Sequence, residues 1–299
     1  MSKKNFNNSS KAFSLIELSI VILIIGILVA GVTSSSRLIK RMKIIVAQNS
    51  TQSSPVPSIK DLAVWYETSL DKSFNDTEES DQTPITTWYD NNIQSSFKID
   101  FKQATVANQP KYSEGIINSL PAVKFDGVDD FMMASSAGIS SRGLTVFMVG
   151  QRSAFSGGYQ AGLTGLATSI GHWDDCLGGG SFILFADYNS SIATCSNVTT
   201  YYGTVAHPGN SIPFVYDIVM TQTTSNMFVN GVNASNTTAS FSFLFDVLRA
   251  GCRYNNSSGN TAFYNGYIAE IIIYSRALNT EERKAVESYL SKKYAIKIT

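Results

Sequence analysis

The strongest pattern in the sequence is an unbroken apolar run near the N-terminus. Residues 1–12 are polar and contain three lysines and no acid, and residues 13–32 then read FSLIELSIVILIIGILVAGV, with Glu17 as their only charge. At about 1.5 Å per residue, a helix of this length spans about 30 Å, which matches the hydrocarbon core of a bilayer. The pattern therefore predicts a membrane-spanning helix over residues 13–32.

Two ordinary interpretations of this run stay open: a secretory signal peptide that is removed near residues 29–31, and a plain single-pass anchor. The apolar stretch of a signal peptide is shorter, about 7–15 residues. Neither interpretation accounts for Glu17, because a carboxylate in hydrocarbon is costly unless it is paired, and such acids usually mark function. The partial positive charge at a helix N-terminus lowers this cost.

Residues 11–18, KAFSLIEL, together with the apolar run resemble the N-terminus of type IV prepilins and pseudopilins. The resemblance implies a cleavable leader, residues 1–12, which prepilin peptidase cuts between Ala12 and Phe13. It also implies N-methylation of Phe13 and places Glu17 at the fifth mature position, where the family has a glutamate. Ala12 departs from the family pattern, which normally has glycine before the cut.

Filament assembly is the role that the resemblance implies for Glu17. Its carboxylate can meet the free amine of Phe13 in a neighbouring subunit, and the pair satisfies two charges that would each be penalised alone in an apolar bundle. The partners implied are other pilin or pseudopilin subunits and membrane lipid. Lysine and arginine counts on the two sides of the run do not decide its orientation, so the resemblance alone places the leader in the cytoplasm.

The helical period continues beyond the membrane through the segment LIKRMKIIVAQ, which predicts one helix over residues 13–48. Residues 49–58 are polar and contain two prolines, which end a helix and favour an extended linker. A passenger domain is therefore predicted for residues 59–299.

The passenger pattern is typical of many short strands rich in β-branched and aromatic residues. Asparagine–glycine and aspartate–glycine pairs predict tight turns at Asp126-Gly127, Asn230-Gly231 and Asn265-Gly266. The clearest strand runs are residues 144–149, 214–220, 227–229 and 267–274.

One further helix is predicted near the C-terminus. Asn279 is a typical N-cap, and Glu282 stands three residues later, as in a capping box. An apolar stripe that includes Val286, Leu290 and Tyr294 follows. We expect this stripe to pack on the strands.

These segments together resemble the concanavalin A-like lectin/glucanase sandwiches, in particular the laminin-G-like kind. The predicted fold is mainly β: a long N-terminal transmembrane helix, then an antiparallel β-sandwich of the jelly-roll type with one C-terminal helix. Lectins, glycosidases and structural modules share this fold, so it does not settle function. The matching segments are LPAVKFDGVDD (120–130), FVNGV (228–232), GYIAEI (266–271), RALN (276–279) and YLSKKY (289–294).

Charge and composition argue against two function classes. Residues 55–299 hold 16 basic and 22 acidic side chains, a net charge of −6, so no nucleic-acid partner is predicted. Retaining glycosidases need two carboxyls about 5–5.5 Å apart. The E-x-D-x-x-E run of the glucanase branch is absent from the sequence, and Glu270 stands alone in an apolar strand. We therefore predict that the chain is not an enzyme.

A candidate calcium site is the acidic group Asp126, Asp129 and Asp130. Carboxylates and backbone carbonyls in a turn suit Ca²⁺. The alternative is that Asp126-Gly127 forms the turn while the other two carboxylates accept hydrogen bonds from local backbone amides. No other cofactor is predicted.

A candidate ligand site is Trp173 with Asp174 and Asp175, in a glycine-rich stretch. The indole ring offers a stacking surface for a sugar, and the alternative is an ordinary solvated loop. The partner predicted for this site is a glycan or a surface protein.

Two of the three cysteines, Cys176 and Cys195, flank the apolar strand FILFADY. In an oxidising compartment we predict a disulfide between them, which would contribute about 3 kcal/mol through loop entropy. Cys252 is expected to be a small buried apolar residue.

The sequence as a whole favours a minor pilin or pseudopilin of a type IV pilus or type II secretion-like filament. It would be a single-pass protein of the inner, cytoplasmic membrane that displays its sandwich in the periplasm or outside the cell, and it would reach the cell surface in the filament. The alternative is a carbohydrate- or surface-binding adhesin on a simple membrane anchor.

Overall fold

The structure is a computed structural model that describes residues 15–155, 158–166, 181–188, 191–196, 199–238, 243–255 and 258–299. These residues form two α-helices, two short 3₁₀ helices and twenty β-strands. The fold is mainly β, with an N-terminal helix, antiparallel sheets and a C-terminal helix, and the fold class predicted from the sequence is confirmed.

The helices are α1 (Leu15–Gln52), α2 (Thr280–Tyr294) and the 3₁₀ helices Val56–Ser58 and Val106–Asn108. The strands are β1 (Leu62–Glu67), β2 (Thr87–Trp88), β3 (Phe101–Lys102), β4 (Lys111–Ile117), β5 (Leu120–Asp126), β6 (Met132–Ala134), β7 (Ile139–Ser141), β8 (Gly143–Arg152), β9 (Tyr159–Leu166), β10 (Ser181–Tyr188), β11 (Ser191–Ser196), β12 (Thr199–Ala206), β13 (Pro213–Thr221), β14 (Thr224–Val229), β15 (Val232–Thr238), β16 (Phe243–Phe245), β17 (Val247–Ala250), β18 (Arg253–Asn255), β19 (Gly259–Thr261) and β20 (Asn265–Tyr274).

The chain divides into two compact units, residues 1–43 and 44–299. In the first unit, the apolar side chains of α1 from Leu15 to Val29 are exposed. Among the described residues, no helix combines the length and the apolar character needed to cross a membrane.

The predicted linker, residues 49–58, contains the last turn of α1 and the 3₁₀ helix that starts at Val56. Thr51 and Val56 are fully buried, and Val56 belongs to an apolar cluster with residues of the sandwich. This segment is part of the second unit and packs on the sandwich. The domain bounds given by the sequence stay predictions.

Two eight-stranded sheets make up the sandwich. The first has the order β15-β14-β13-β8-β20-β5-β4, and β1 pairs with the second half of β20. The second has the order β12-β11-β10-β9-β17-β6-β3-β2. Strand β8 lies at the centre of the first sheet, where Val146 pairs with Ile218 of β13 and Ile273 of β20.

Strands β8 and β20 in the first sheet are buried on both faces, which explains their continuous apolar runs. Val146 and Met148 face the second sheet and join the main core with Phe185 of β10. The alternate residues Phe147 and Val149 join a second core on the outer face. The strand period of two thus separates the two cores.

Helix α2 covers this outer face, as the sequence predicts. Its Val286, Leu290 and Tyr294 pack with Phe147 in the second core. The N-terminal cap is also confirmed: Glu282 N donates to the Asn279 side chain at 2.9 Å, and Asn279 N donates to Glu282 Oε2 at 3.1 Å.

Two of the three predicted turns are confirmed and one is wrong. Asn230-Gly231 joins β14 to β15 with φ of 50° and 79°, and Gly127 follows the end of β5 with φ of 79°. Asn265-Gly266 instead begins β20. A Cβ at Gly266 would approach the Gln151 carbonyl to 2.7 Å, so this glycine allows close strand packing.

Candidate functional site

The predicted assembly residue Glu17 lies in the first turn of α1 and is exposed. The predicted cleavage residues Ala12 and Phe13 lie outside the described residues. Large apolar side chains of the first turns, among them Leu15, Ile16 and Leu18, are exposed around the carboxylate. This part of α1 therefore presents one acid on a mostly apolar surface.

The predicted calcium residues lie together in the turn after β5. Asp126 Oδ1 accepts backbone N–H bonds from Val128 at 2.8 Å, Asp129 at 3.3 Å and Asp130 at 3.4 Å. In return, Asp126 N donates to Asp130 Oδ2 at 3.0 Å. The hydrogen bonds expected for an ordinary turn are thus present, but they occupy only one oxygen each of Asp126 and Asp130.

Carboxylate oxygens of Asp126, Asp129 and Asp130 lie within 4.8 Å of one another, close enough to share a cation. Burial, with the charge of Asp126 adding to it, raises the pKa of Asp130 to about 7. A bound cation would offset this repulsion. The donors are hard carboxylate oxygens, which fit Ca²⁺.

The other predicted sites fall largely outside the described residues. This applies to Trp173, Asp174 and Asp175 of the ligand site and to Cys176 of the disulfide. Cys195 lies on β11. These two predictions stay predictions, whereas Cys252 is a buried thiol, as expected.

An ionic cluster beneath α2 was not predicted from the sequence. Glu67 of β1 and Glu270 of β20 lie directly opposite each other in the strand register. Like charges in such positions repel. Lys293 of α2 lies between them, with Nζ 2.9 Å from Glu67 Oε2 and 2.9 Å from Glu270 Oε2, and all three side chains are fully buried.

Further donors saturate both carboxylates. Glu67 accepts bonds from the Ser69 amide at 2.9 Å, the Ser69 hydroxyl at 2.6 Å and the Ser73 hydroxyl at 2.8 Å. Glu270 accepts bonds from Trp65 Nε1 at 2.8 Å and from the hydroxyls of Tyr289 and Tyr294, each at 2.9 Å. A buried charge needs such partners to be tolerated.

The pKa values of this cluster follow from burial and charge. Burial raises the pKa of Glu67, but the Lys293 ammonium and the Ser69 hydrogen bonds outweigh it and hold the pKa below its ordinary value. Burial lowers the pKa of Lys293, but Glu270 and Glu67 raise it well above its ordinary value. The Glu67 carboxylate and the Lys293 ammonium are therefore both charged at neutral pH.

The last turns of α1 connect to the same cluster. The hydroxyls of Thr51 and Tyr289 lie 3.2 Å apart, and Tyr289 bonds Glu270. Gln48 Nε2 donates to the Ser69 carbonyl at 2.9 Å. Residues 44–52 are thus attached to the sandwich through the groups that surround its buried charges.

A second ionic cluster also holds α2. Arg283 Nη1 lies 3.3 Å from Asp217 Oδ2 of β13 and 2.5 Å from Glu287 Oε1, and the guanidinium carbon lies 3.7 Å from the ring centroid of Phe228. Burial, with Glu287 adding to it, raises the pKa of Asp217 well above its ordinary value. Charged residues in the buried stripe of α2 were the signal in the sequence that could have revealed both clusters.

Comparison with protein families finds one matching model, the prokaryotic N-terminal methylation motif, over residues 7–33. This finding confirms the prepilin-type motif that the sequence indicates. No curated protein matches the sequence.

Comparison with solved structures finds sialidases. Trypanosoma rangeli sialidase in complex with sialic acid aligns with a TM-score of 0.51 and 16% identity, over 79% of this chain and 34% of that chain. The same sialidase as a covalent intermediate with 2,3-difluorosialic acid aligns with a TM-score of 0.52, 16% identity and coverage of 79% and 33%. This chain thus spans about a third of the sialidases it matches.

A further match is domain 4 of an extracellular arabinanase from Geobacillus stearothermophilus in complex with arabinotriose. Its TM-score is 0.48 at 16% identity, over 76% of this chain and 97% of that domain. The sialidase alignments, whose TM-scores exceed 0.5, show at such identities a shared fold alone. They agree with a β-sandwich, and the narrower laminin-G assignment stays a prediction.

The prediction that the chain is not an enzyme is contradicted by these neighbours. Trypanosoma rangeli sialidase is an enzyme, and its structure shares the sandwich fold of this chain. The absence of the E-x-D-x-x-E run, which belongs to one glucanase branch, does not exclude catalysis by other residues on a shared fold. That prediction is therefore withdrawn.

Proposed function

We propose that the chain is a prepilin-like subunit, a minor pilin or pseudopilin of a type IV pilus or type II secretion-like filament. The methylation motif over residues 7–33 carries this proposal. Glu17 in the first turn of α1 supports it, because an acid within an apolar helix usually marks a functional position.

The proposed route begins in the cytoplasmic membrane, with residues 13–32 in the bilayer and the leader in the cytoplasm. Prepilin peptidase cuts between Ala12 and Phe13, and the new amine is methylated. The sandwich then lies outside the membrane. Its size, more than 200 residues from β1 to the end of α2, favours a place at the tip or sparse incorporation over a repeating shaft.

The N-terminus of the mature protein tests this proposal most directly. We expect mass analysis of protein purified from its native membrane to find a chain that begins at N-methylated Phe13. A variant Ala12→Arg should accumulate with its leader attached, because the cleavage site requires a small residue, whereas Ala12→Gly should be processed normally. A mature chain that starts at Met1, or well past residue 32, would contradict the proposal.

We also propose that Asp126, Asp129 and Asp130 bind Ca²⁺ on the displayed sandwich. Asp129 is the best position for a test, because the turn uses its amide and the carboxylates of the other two residues. At a Ca²⁺ concentration a hundredfold above the dissociation constant, the free energy of unfolding should rise by about 2.7 kcal/mol.

Thermal unfolding of the full chain with and without Ca²⁺ measures this effect. Asp129→Asn should lose most of the Ca²⁺-dependent rise in melting temperature, and the exposed control Asp76→Asn should keep it. A rise of equal size in all three proteins would place Ca²⁺ elsewhere, and no rise in the wild type would exclude a calcium site.

A further inference from the structure

A third polar cluster lies in the interior of the sandwich, between its two sheets. Asp187 belongs to β10 of the second sheet, Arg152 ends β8 of the first sheet, and His207 follows β12. The side chains of Asp187 and His207 are fully buried, and that of Arg152 is 6% exposed. Tyr264, which precedes β20, is also fully buried.

Within the described part of the chain, several polar atoms of this cluster have no hydrogen-bond partner: Arg152 Nη1, both carboxylate oxygens of Asp187, His207 Nε2 and the Tyr264 hydroxyl. Arg152 Nη1 lies 3.7 Å from Asp187 Oδ1, and His207 Nε2 lies 3.6 Å from the same oxygen. These separations exceed the roughly 2.7–3.2 Å of a protein hydrogen bond. Buried polar groups are almost always paired, so a cluster of unpaired ones requires an explanation.

The hydrogen-bonding state of His207 is fixed by its backbone neighbour. Gly209 N donates to His207 Nδ1 at 3.0 Å, so Nδ1 is an acceptor and the imidazole proton is on Nε2. Burial, with the Arg152 charge adding to it, lowers the pKa of His207 to about 3, so the ring is neutral. The Nε2–H group is therefore a hydrogen-bond donor, and it faces Asp187.

Arg152 is held at the rim of this cluster. Its Nε donates to Asn210 Oδ1 at 2.8 Å, and its guanidinium carbon lies 5.0 Å from the ring centroid of Phe155. Asn210 is exposed and Phe155 is half-buried. The cluster thus lies one side chain below the surface.

The unpaired donors and the acceptor of this cluster fit one chemical class of ligand. Arg152 Nη1 and His207 Nε2 offer N–H donors, and Asp187 offers an acceptor. A metal cation would be repelled by Arg152, and an anion by Asp187. A hydroxyl oxygen fits, because it accepts two hydrogen bonds and donates one. Asp187 Oδ1 lies 3.7 Å from Arg152 Nη1 and 3.6 Å from His207 Nε2, so one oxygen about 2.8 Å from Asp187 Oδ1 can lie at a similar hydrogen-bond length from each nitrogen.

We propose that Arg152, Asp187 and His207 bind one hydroxyl oxygen that links the two sheets. Two sources have this chemistry: an internal water molecule and the hydroxyl group of a sugar. Buried waters typically make about three hydrogen bonds to groups that are otherwise unsatisfied. The site goes beyond the proposed filament role and does not depend on it.

A crystal structure of the full-chain protein at a resolution that shows waters tests the proposal. We expect an oxygen peak within about 3.2 Å of Arg152 Nη1, Asp187 Oδ1 and His207 Nε2. An isolated peak identifies water, and a peak continuous with a ring in crystals grown with a monosaccharide identifies a sugar hydroxyl. No peak, with Arg152 bonded directly to Asp187, would overturn the proposal.

Thermal unfolding against a panel of monosaccharides separates the two sources in solution. If a sugar hydroxyl fills the site, one sugar should raise the melting temperature of the wild type and of the control Asp76→Asn but not of Asp187→Asn. The conservative change keeps one oxygen and the size of the side chain, so the variant is expected to fold. If no sugar changes the melting temperature and the crystal structure shows the isolated oxygen peak, the bound oxygen is water. A sugar-dependent rise that persists in Asp187→Asn, without the peak, would overturn the proposal.

Discussion

Replacing Lys293 with methionine is expected to lower the free energy of unfolding by about 3–5 kcal/mol, because the change leaves two buried carboxylates without their shared cation. Glu67 and Glu270 lie opposite each other, and each accepts a 2.9 Å bond from Lys293. Methionine keeps the length and apolar character of the side-chain stem, so the lost charge dominates. Denaturant unfolding of the full chain at neutral pH, followed by tryptophan fluorescence, measures the loss.

The loss should shrink as the pH falls toward about 4. Without Lys293, burial raises the pKa of Glu67, so the folded variant binds a proton that the unfolded chain does not bind. Its stability therefore rises as the pH falls. In the wild type the pKa of Glu67 is lowered, so the ionised carboxylate stabilises the folded protein. This stabilisation disappears as the pH falls through the pKa of Glu67 in the folded protein. The two stability curves should converge in acid.

The matched control is Lys292→Met, one position earlier on α2, where the side chain is exposed. This change should alter the free energy of unfolding by no more than about 0.5 kcal/mol. If both variants lost the same stability, or if the Lys293→Met loss did not depend on pH, the buried charges would not be the cause.

Local patterns in the sequence predicted the elements of the fold. The apolar runs of β8 and β20 are long because these two strands are buried on both faces, and this property can be seen in the residues themselves. The cap of α2 is equally local, since Asn279 and Glu282 satisfy each other within one turn. Such features need no knowledge of distant partners.

The buried charges depend on pairings that the sequence does not contain. Glu270 looked isolated in an apolar strand because its partner, Glu67, is some 200 positions away in the chain, and the two meet only through the register of β1 on β20. The same limit applies to Asp187, Arg152 and His207, which come from separate strands and a loop. Asn265-Gly266 was misread as a turn because a glycine needed for close packing looks like a turn glycine.

The cluster beneath α2 also bears on how the passenger is attached. Thr51 of α1 contacts Tyr289, which bonds Glu270, so the end of α1 shares its hydrogen-bond network with the buried charges. The attachment of residues 44–52 to the sandwich therefore depends on the same side chains that attach α2. Weakening this network is expected to loosen the last turns of α1 as well as α2.

Replacing Glu17 with alanine is expected to abolish incorporation into filaments while leaving the protein membrane-bound and processed. On the proposed assembly, Glu17 meets the Phe13 amine of a neighbouring subunit, and the variant leaves that amine buried without a partner. Loss of one member of a buried ion pair costs about 3–5 kcal/mol, or more than a hundredfold in the equilibrium for adding a subunit. Immunoblots of sheared filaments and of membranes, with mass analysis of the membrane fraction, measure incorporation and processing separately.

Two further variants show whether the charge itself is responsible. Glu17→Gln keeps the size and polarity of the side chain but cannot neutralise an amine, so it should fail to assemble in the same way. Ser19→Ala should assemble normally, because the Ser19 hydroxyl bonds the Ile16 carbonyl of its own helix at 2.8 Å. Normal incorporation of Glu17→Gln would mean that the carboxylate pairs with no cation in the filament. Because the fold of the sandwich does not depend on Glu17, such a result would remove the assembly role and leave the displayed module intact.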